Sequence, residues 1–399
     1  MSKNIVILLD GTSNEIECDR TNILRLYGVL TKGAEQLVYY DPGVGTFGAE
    51  GAWSRFWRKA HEVWGLMTGW GLDQNVKEAY RFLVKNYDNG KRKGAVGGER
   101  DRIFIFGFSR GAYSARVLAG LIHAVGLIEP RNLNLLDYVY RAYKAIGEDN
   151  EGQEKAFAEI RLYERILGPD RPPIRMLGLF DTVASVIESG RHGPRLKSHA
   201  FTSRNKSVEA VSHAVAIDEK RTMFRPQLWP TNQEYWGNPF NRAAAKPQDA
   251  KEVWFAGGHG DVGGGYPEAQ SALCKVPLVW MIERAKLSGL KFRQQSINSL
   301  VMGKTAKSDY VQPDALGSPH NTMTFLWSLL EFLPRRKPAD SSRPAFLGIT
   351  LPLFERRSIA PGAKLHASVV ERELKLGSMS PNVPAEYSVE AWPRSSSHA

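Results

Sequence analysis

Apolar residues in this chain fall in short continuous runs, and most of the runs end in a polar loop that carries glycine. Asn4 to Leu9 ends in Asp10-Gly11-Thr12, Glu35 to Tyr40 in Asp41-Pro42-Gly43, Ile103 to Phe106 in Gly107, Ile174 to Phe180 in Asp181, and Glu252 to Ala256 in Gly257. A strand that is apolar at every position is buried on both faces, which is the condition of a parallel sheet covered by helices. Segments of helical period lie between these runs. Thr21 to Leu30 reads as a crossover helix capped by Thr21, Asp73 to Tyr87 as a second, and Asn132 to Leu167 as a polar hairpin. Ser207 to Ile217 and Val276 to Ser288 read as further helices. The alternation predicts an α/β fold, α/β-hydrolase-like, with a mostly parallel central sheet, helices on both faces and inserted cap elements. In such sheets ligands bind outside the carboxyl ends of the strands, so the polar loops should share one rim.

The C-terminal third departs from this rhythm. Ser308 to Pro344 reads as irregular except for the apolar piece Met323 to Leu333, followed by Arg335, Arg336 and Lys337. That piece is too short to span a bilayer and is expected to form a cap facing a membrane surface, with Phe325, Trp327 and Leu330 apolar and Arg335 and Arg336 toward lipid phosphates. A tryptophan-rich stretch with Trp53, Trp57, Trp64 and Trp70 is either a core face or another cap. The organisation expected is a catalytic unit over 1–300, a cap or membrane-facing insertion over 301–345, and a segment over 346–399 that returns to the catalytic unit and frays from Glu386.

Bulk composition narrows the class. A chain of 399 residues with 42% hydrophobic content builds a full core, and two cysteines, Cys18 and Cys274, are too few for a disulfide framework. The formal net charge of +11 is dispersed, with no helix-turn-helix, zinc-finger or RNA-binding pattern, so nucleic acid is not an expected partner. The apolar run near the N-terminus reaches Asp10 too soon for a signal peptide and reads as a first strand, implying synthesis in the cytoplasm.

The candidate chemistry lies in Gly107-Phe108-Ser109-Arg110-Gly111, a G-x-S-x-G turn between a predicted strand and a predicted helix. Small residues at Gly107 and Gly111 let strand and helix pass closely, and the central Ser109 is pushed above the sheet as a nucleophile. A serine nucleophile needs a base and an acid to orient it. Of nine histidines, His259 directly follows a predicted buried strand, whereas His213 lies in an apolar helical pattern and reads as packing. His366 is an alternative base that could equally cap a helix. For the acid, Asp181 at a strand end is preferred over Asp261. Oxyanion donors are expected from the amide of Arg110 and from Gly11 or Thr12. Asp10 and Asp261 are site-supporting residues and an alternative metal site, but no ligand cluster accompanies them, so no metal and no cofactor is expected.

Seven segments extend this reading to a family. LLDGTSNE, TNILRLY, YYDPGVGT, GFSRGAYSAR, GLFDTVAS, HAVAIDEKR and WFAGGHGDVGGGY, spread over residues 8 to 266, resemble the α/β-hydrolase domain-of-unknown-function family that includes type VI secretion lipase effectors. HASVVER at 366 to 372 resembles its closing segment. The resemblance implies a phospholipase or carboxylic-ester hydrolase, with Ser109, Asp181 and His259 matching its catalytic serine, aspartate and histidine. It further implies a lipid substrate, an immunity or secretion-apparatus partner, and delivery to another cell's periplasm or membrane. The contrasting readings are a non-catalytic interaction protein on the same fold and a thioesterase or peptidase with the same triad.

Overall fold

A computed structural model of the chain describes residues 2–11, 20–43, 71–90, 98–147, 150–183, 187–190, 193–196, 199–237, 242–304, 309–338, 340–377 and 379–392. Thr12 and the four tryptophans at 53, 57, 64 and 70 lie outside these residues.

Among the described residues the main sheet has eight strands, all paired in parallel: β1 (Asn4–Leu9), β2 (Gln36–Asp41), β3 (Arg102–Phe108), β4 (Ile174–Phe180), β5 (Val208–Ala216), β6 (Asp249–Phe255), β7 (Ala363–His366) and β8 (Tyr387–Glu390). Their spatial order is β8-β7-β6-β5-β4-β3-β1-β2. The chain leaves β1 toward β2 on one side and returns to β3 on the other, so the order reverses between β1 and β3. That switch point opens the crevice where α/β sheets bind ligands.

Alternation along β1 explains why the sheet has two cores. Ile5, Ile7 and Leu9 face one way and Val6 and Leu8 the other, and all five are fully or almost fully buried. The first face is covered by α2 (Leu72–Asn86), α3 (Arg110–Ala124), α4 (Leu136–Ala145) and α5 (Asn150–Leu167). The opposite face is covered by α1 (Asn22–Val29) and α7 (Lys275–Leu287). Helix α1 starts where expected: the Thr21 side chain accepts a hydrogen bond from the Leu24 amide, 3.1 Å away.

Two expectations change here. The segment Ser207 to Ile217 is strand β5, not a helix, because both its neighbours are strands and both its faces are covered. An interior strand carries no period to distinguish it from a buried helix, and tertiary pairing decides. The polar stretch from Glu386 supplies edge strand β8, which pairs with β7. An edge strand needs only one partner and no apolar face on its open side, so its composition resembles a tail.

Between α7 and β7 the chain leaves the sheet. Helix α8 (Phe325–Leu330) and a short antiparallel pair, Arg335–Arg336 with Ile349–Thr350, lie there, and α9 (Ala367–Leu376) follows β7.

Candidate active site

The turn after β3 is shaped by its glycines. A Cβ on Gly107 would stand 2.4 Å from the Gly111 carbonyl oxygen, and one on Gly111 would stand 2.2 Å from that of Leu9. Neither position tolerates a side chain. Ser109 between them has φ 57° and ψ −121°, a region that L-residues rarely adopt, and its amide donates to Phe180 O at 3.0 Å. Its side chain thereby stands at the carboxyl rim of the sheet, at the head of α3.

His259 opens a one-turn helix, α6 (His259–Gly263), directly after β6. Its Nε2 lies 2.8 Å from Ser109 Oγ and its Nδ1 lies 2.5 Å from Asp181 Oδ2. With the proton on Nδ1, the lone pair of Nε2 faces the serine hydroxyl. The imidazole is held between rings, with Phe108 at 4.7 Å and Phe224 edge-on at 4.9 Å, and burial pushes its pKa below the ordinary histidine value. Trp327 from α8 packs edge-on to Phe224 at 5.4 Å, and the Arg221 guanidinium lies over the Phe224 ring.

Asp181 follows β4 at φ 38° and is fully buried. Burial alone would raise its carboxyl, but the Arg357 guanidinium and the His259 hydrogen bond hold it well below the usual carboxylate range. Arg357 donates to both carboxylate oxygens, at 2.6 and 2.9 Å, and the Ala216 amide donates to Oδ1 at 2.9 Å.

The structure brings Ser109, Asp181 and His259 together and sorts the other candidates. Arg110 is the first residue of α3, so its amide stands at the helix N-terminus beside the serine. Gly11 also lies beside Ser109, since a Cβ there would be 3.5 Å from the serine Cβ, but its amide donates to Asp10 Oδ1 at 2.7 Å rather than pointing at the serine. In this structure the Gly11 amide is thus taken up by the Asp10 carboxylate. Asp10 also accepts from Thr21 Oγ1 and Tyr40, and burial pushes its carboxyl up to about 6. Asp261 accepts from the Gly258 amide at 2.8 Å and from His320 Nδ1 at 2.6 Å, fixing the loop that leads into His259. Asp10 and Asp261 are each enclosed by their own donors. Among the described residues no cluster of three or more His, Cys, Asp or Glu side chains is arranged to hold a metal ion.

His366 is a helix cap. Its Nδ1 accepts from the Ser368 amide at 3.2 Å and its ring stacks at 4.7 Å on Phe255, the last residue of β6. His213 does more than pack. It accepts from the Thr182 amide through Nε2 at 3.2 Å, and its Nδ1 pairs with Glu252 at 3.0 Å, so it braces the turn that carries Asp181. Glu219 accepts from the His259 amide at 3.1 Å and pairs with Arg221; it sits inside one of the segments that carry the family resemblance. Within the cap, Phe325 is 87% exposed, Trp327 and Leu330 are half-buried, and Arg335 donates to Leu330 O at 2.7 Å instead of reaching freely outward.

A serine at positive φ on a strand-to-helix turn, facing a buried aspartate after β4 and a histidine after β6 of a parallel sheet, is the architecture of the α/β-hydrolase-like class. The chain belongs to the type VI secretion Tle1-like phospholipase effector family, whose catalytic-domain model matches residues 3–284. It is also similar, at 34% identity over 245 residues, to the uncharacterised protein YEL023C of Saccharomyces cerevisiae, covering 58% of this chain and 33% of that protein. The match thus spans about a third of the length of that curated relative. Among solved structures it is similar to an uncharacterised protein from Pseudomonas aeruginosa, at 20% identity and TM-score 0.39 over 73% of this chain and 46% of that one. Another is the Tle1 effector bound to the VgrG spike of the type VI secretion system, at 19% identity and TM-score 0.34 over 68% and 52%.

Proposed function

We propose that this protein is a serine ester hydrolase that cleaves acyl esters of phospholipids. Ser109 Oγ attacks the acyl carbonyl while its proton passes to His259 Nε2, forming a tetrahedral intermediate whose oxyanion takes the Arg110 amide. Asp181 holds the imidazole in the Nδ1–H tautomer and balances the imidazolium. Collapse breaks the ester bond, His259 gives its proton to the leaving alcohol, and water then repeats the sequence to release the fatty acid and restore the serine. The route uses no cofactor.

The observation that carries this reading is the unbroken line from Ser109 Oγ through the two His259 nitrogens to Asp181 Oδ2, at 2.8 and 2.5 Å. Family membership supports a phospholipid over a peptide or thioester and a role as an effector handed to a secretion apparatus; neutralisation at home by an immunity protein and delivery to another cell's periplasm or membrane are further parts of the proposal. Among the described residues no helix is long and apolar enough to cross a membrane, and contact with lipid is assigned to the cap face.

The test is a phospholipid panel and a fluorophosphonate probe, applied to the wild type and to Ser109→Ala. Hydrolysis and labelling in the wild type, both lost in a folded Ser109→Ala protein, are expected. Equal hydrolysis by the two proteins would end the serine mechanism.

A further inference from the structure

We propose that Arg357 is a positioning residue of the hydrolytic centre, acting through Asp181, and that the segment after residue 284 is therefore a working part of that centre. The inference rests on the serine-hydrolase reading, and Arg357 itself lies outside the span, residues 3–284, that the family model matches.

The guanidinium meets the carboxylate as a fork: one terminal nitrogen lies 2.6 Å from Oδ1 and the other 2.9 Å from Oδ2. Both side chains are buried. The same two nitrogens donate to the carbonyl oxygens of Ala216, at 2.8 Å, and Phe224, at 2.5 Å. Arg357 is thus seated in a socket built from the end of β5 and from the residue whose ring packs on His259. The bidentate geometry fixes the plane of the carboxylate and leaves Oδ2 facing His259 Nδ1.

Charge gives a second reason. Asp181 is shut off from water, and a carboxylate in that setting stays ionised only when opposite charge or hydrogen bonds compensate the lost hydration. Arg357 supplies a full positive charge to both carboxylate oxygens, including the Oδ2 that meets the histidine. The other titratable or charged groups near the pair are His213, which braces the turn after β4, and Glu219 with Arg221, which pair with one another at the His259 amide. None of the three touches the Asp181 carboxylate by hydrogen bond in the way Arg357 does.

Removing the guanidinium has two effects of one sign. The Asp181 carboxyl binds a proton more readily, and the carboxylate that remains pulls more strongly on the His259 proton. Each raises the pH at which neutral imidazole and ionised carboxylate coexist, so the acid limb of kcat/KM moves upward. A purely structural arginine would lower the amount of active protein without moving that limb.

The experiment uses the full chain with Arg357→Ala and Arg357→Lys. Stability is followed by thermal melting, and kcat, KM and the rate of fluorophosphonate labelling are followed against pH. For Arg357→Ala the expected result is a fall in kcat of about a hundredfold near neutral pH with KM changed by less than about threefold. Its acid limb should move up by about one pH unit or more. Arg357→Lys keeps the charge and loses the fork, and is expected to recover part of kcat and most of the limb position. A folded Arg357→Ala protein with the wild-type limb and kcat would overturn the proposal. If Arg357→Ala does not fold, the lysine variant decides: a lowered kcat with KM little changed and the limb near its wild-type position supports the role, and wild-type kcat overturns it. Absence of labelling in the wild type, with Ser109→Ala as active as wild type, would instead remove the hydrolase reading and this inference with it.

Discussion

Substituting Gly263 with alanine tests whether the histidine is held by the ring beneath it. A Cβ at Gly263 would stand 1.8 Å from Phe108 Cε2, with Cδ2 and Cζ at 2.1 and 2.2 Å, so a whole edge of the ring blocks it. Ordinary contact requires a separation of about 2 Å more than this. The ring cannot simply swing into solvent, because Phe108 is buried and packs on His259 at 4.7 Å. The strain is therefore shared between the ring and the one-turn helix that carries the histidine. Overpacking of this kind costs about 1–3 kcal/mol, which lowers Tm by a few degrees. The imidazole, displaced by a fraction of that separation, loses its alignment with Ser109 Oγ, and misplacement by about 1 Å costs on the order of a hundredfold in rate. Melting curves together with kcat/KM on a soluble ester measure both effects. A Gly263→Ala protein with wild-type Tm and wild-type turnover would show that Phe108 does not position the base.

Asp181→Asn is expected to lower kcat by about three to four orders of magnitude, because it loses the acceptor that sets the tautomer, while Asp261→Asn costs less than about tenfold; steady-state kinetics of the two side by side would reverse the assignment if their order were inverted. Burial places the His259 pKa below its usual value, so neutral imidazole persists under mildly acid conditions and the acid limb of kcat/KM should lie below pH 6.5; a limb above that value contradicts the packed environment of the ring. Phe346 and Leu347 are 81% and 86% exposed in the loop that leads into the cap's strand pair, so Phe346→Glu/Leu347→Glu should weaken sedimentation with anionic vesicles by at least about tenfold and leave soluble-ester turnover unchanged. Arg335→Gln/Arg336→Gln/Lys337→Gln, at about 1 kcal/mol per charge near an anionic surface, should weaken it by up to about a hundredfold at low salt, less in proportion as Arg335 remains bonded to Leu330; unchanged binding in both variants would leave the face without a lipid role.

What was legible in the sequence is what local sterics dictate. The G-x-S-x-G spacing is readable because Gly107 and Gly111 are forced by atoms a few residues or one neighbouring strand away, and the runs of β1 and β4 are readable because burial on both faces leaves them apolar apart from Asn4 and Arg175 near their starts. The β5 segment lacked such a signal, since Val208 to Ala216 is equally apolar as strand or helix, and only pairing with β4 and β6 selects one. Gly11 shows a finer limit: its place beside Ser109 follows from the end of β1, but the acceptor its amide meets depends on the Asp10 rotamer. Arg357 is the extreme case. It is separated from Asp181 by 176 residues, sits in a segment without regular structure, and has an arginine beside it, Arg356, that is exposed. Nothing in the spacing ERRSIA tells the two apart; the difference is made by the carbonyls of Ala216 and Phe224, which close around one guanidinium only after the sheet has assembled. A residue chosen by a socket of distant backbone atoms leaves no local pattern, and for that reason the part of the site contributed after residue 284 had to be found in three dimensions.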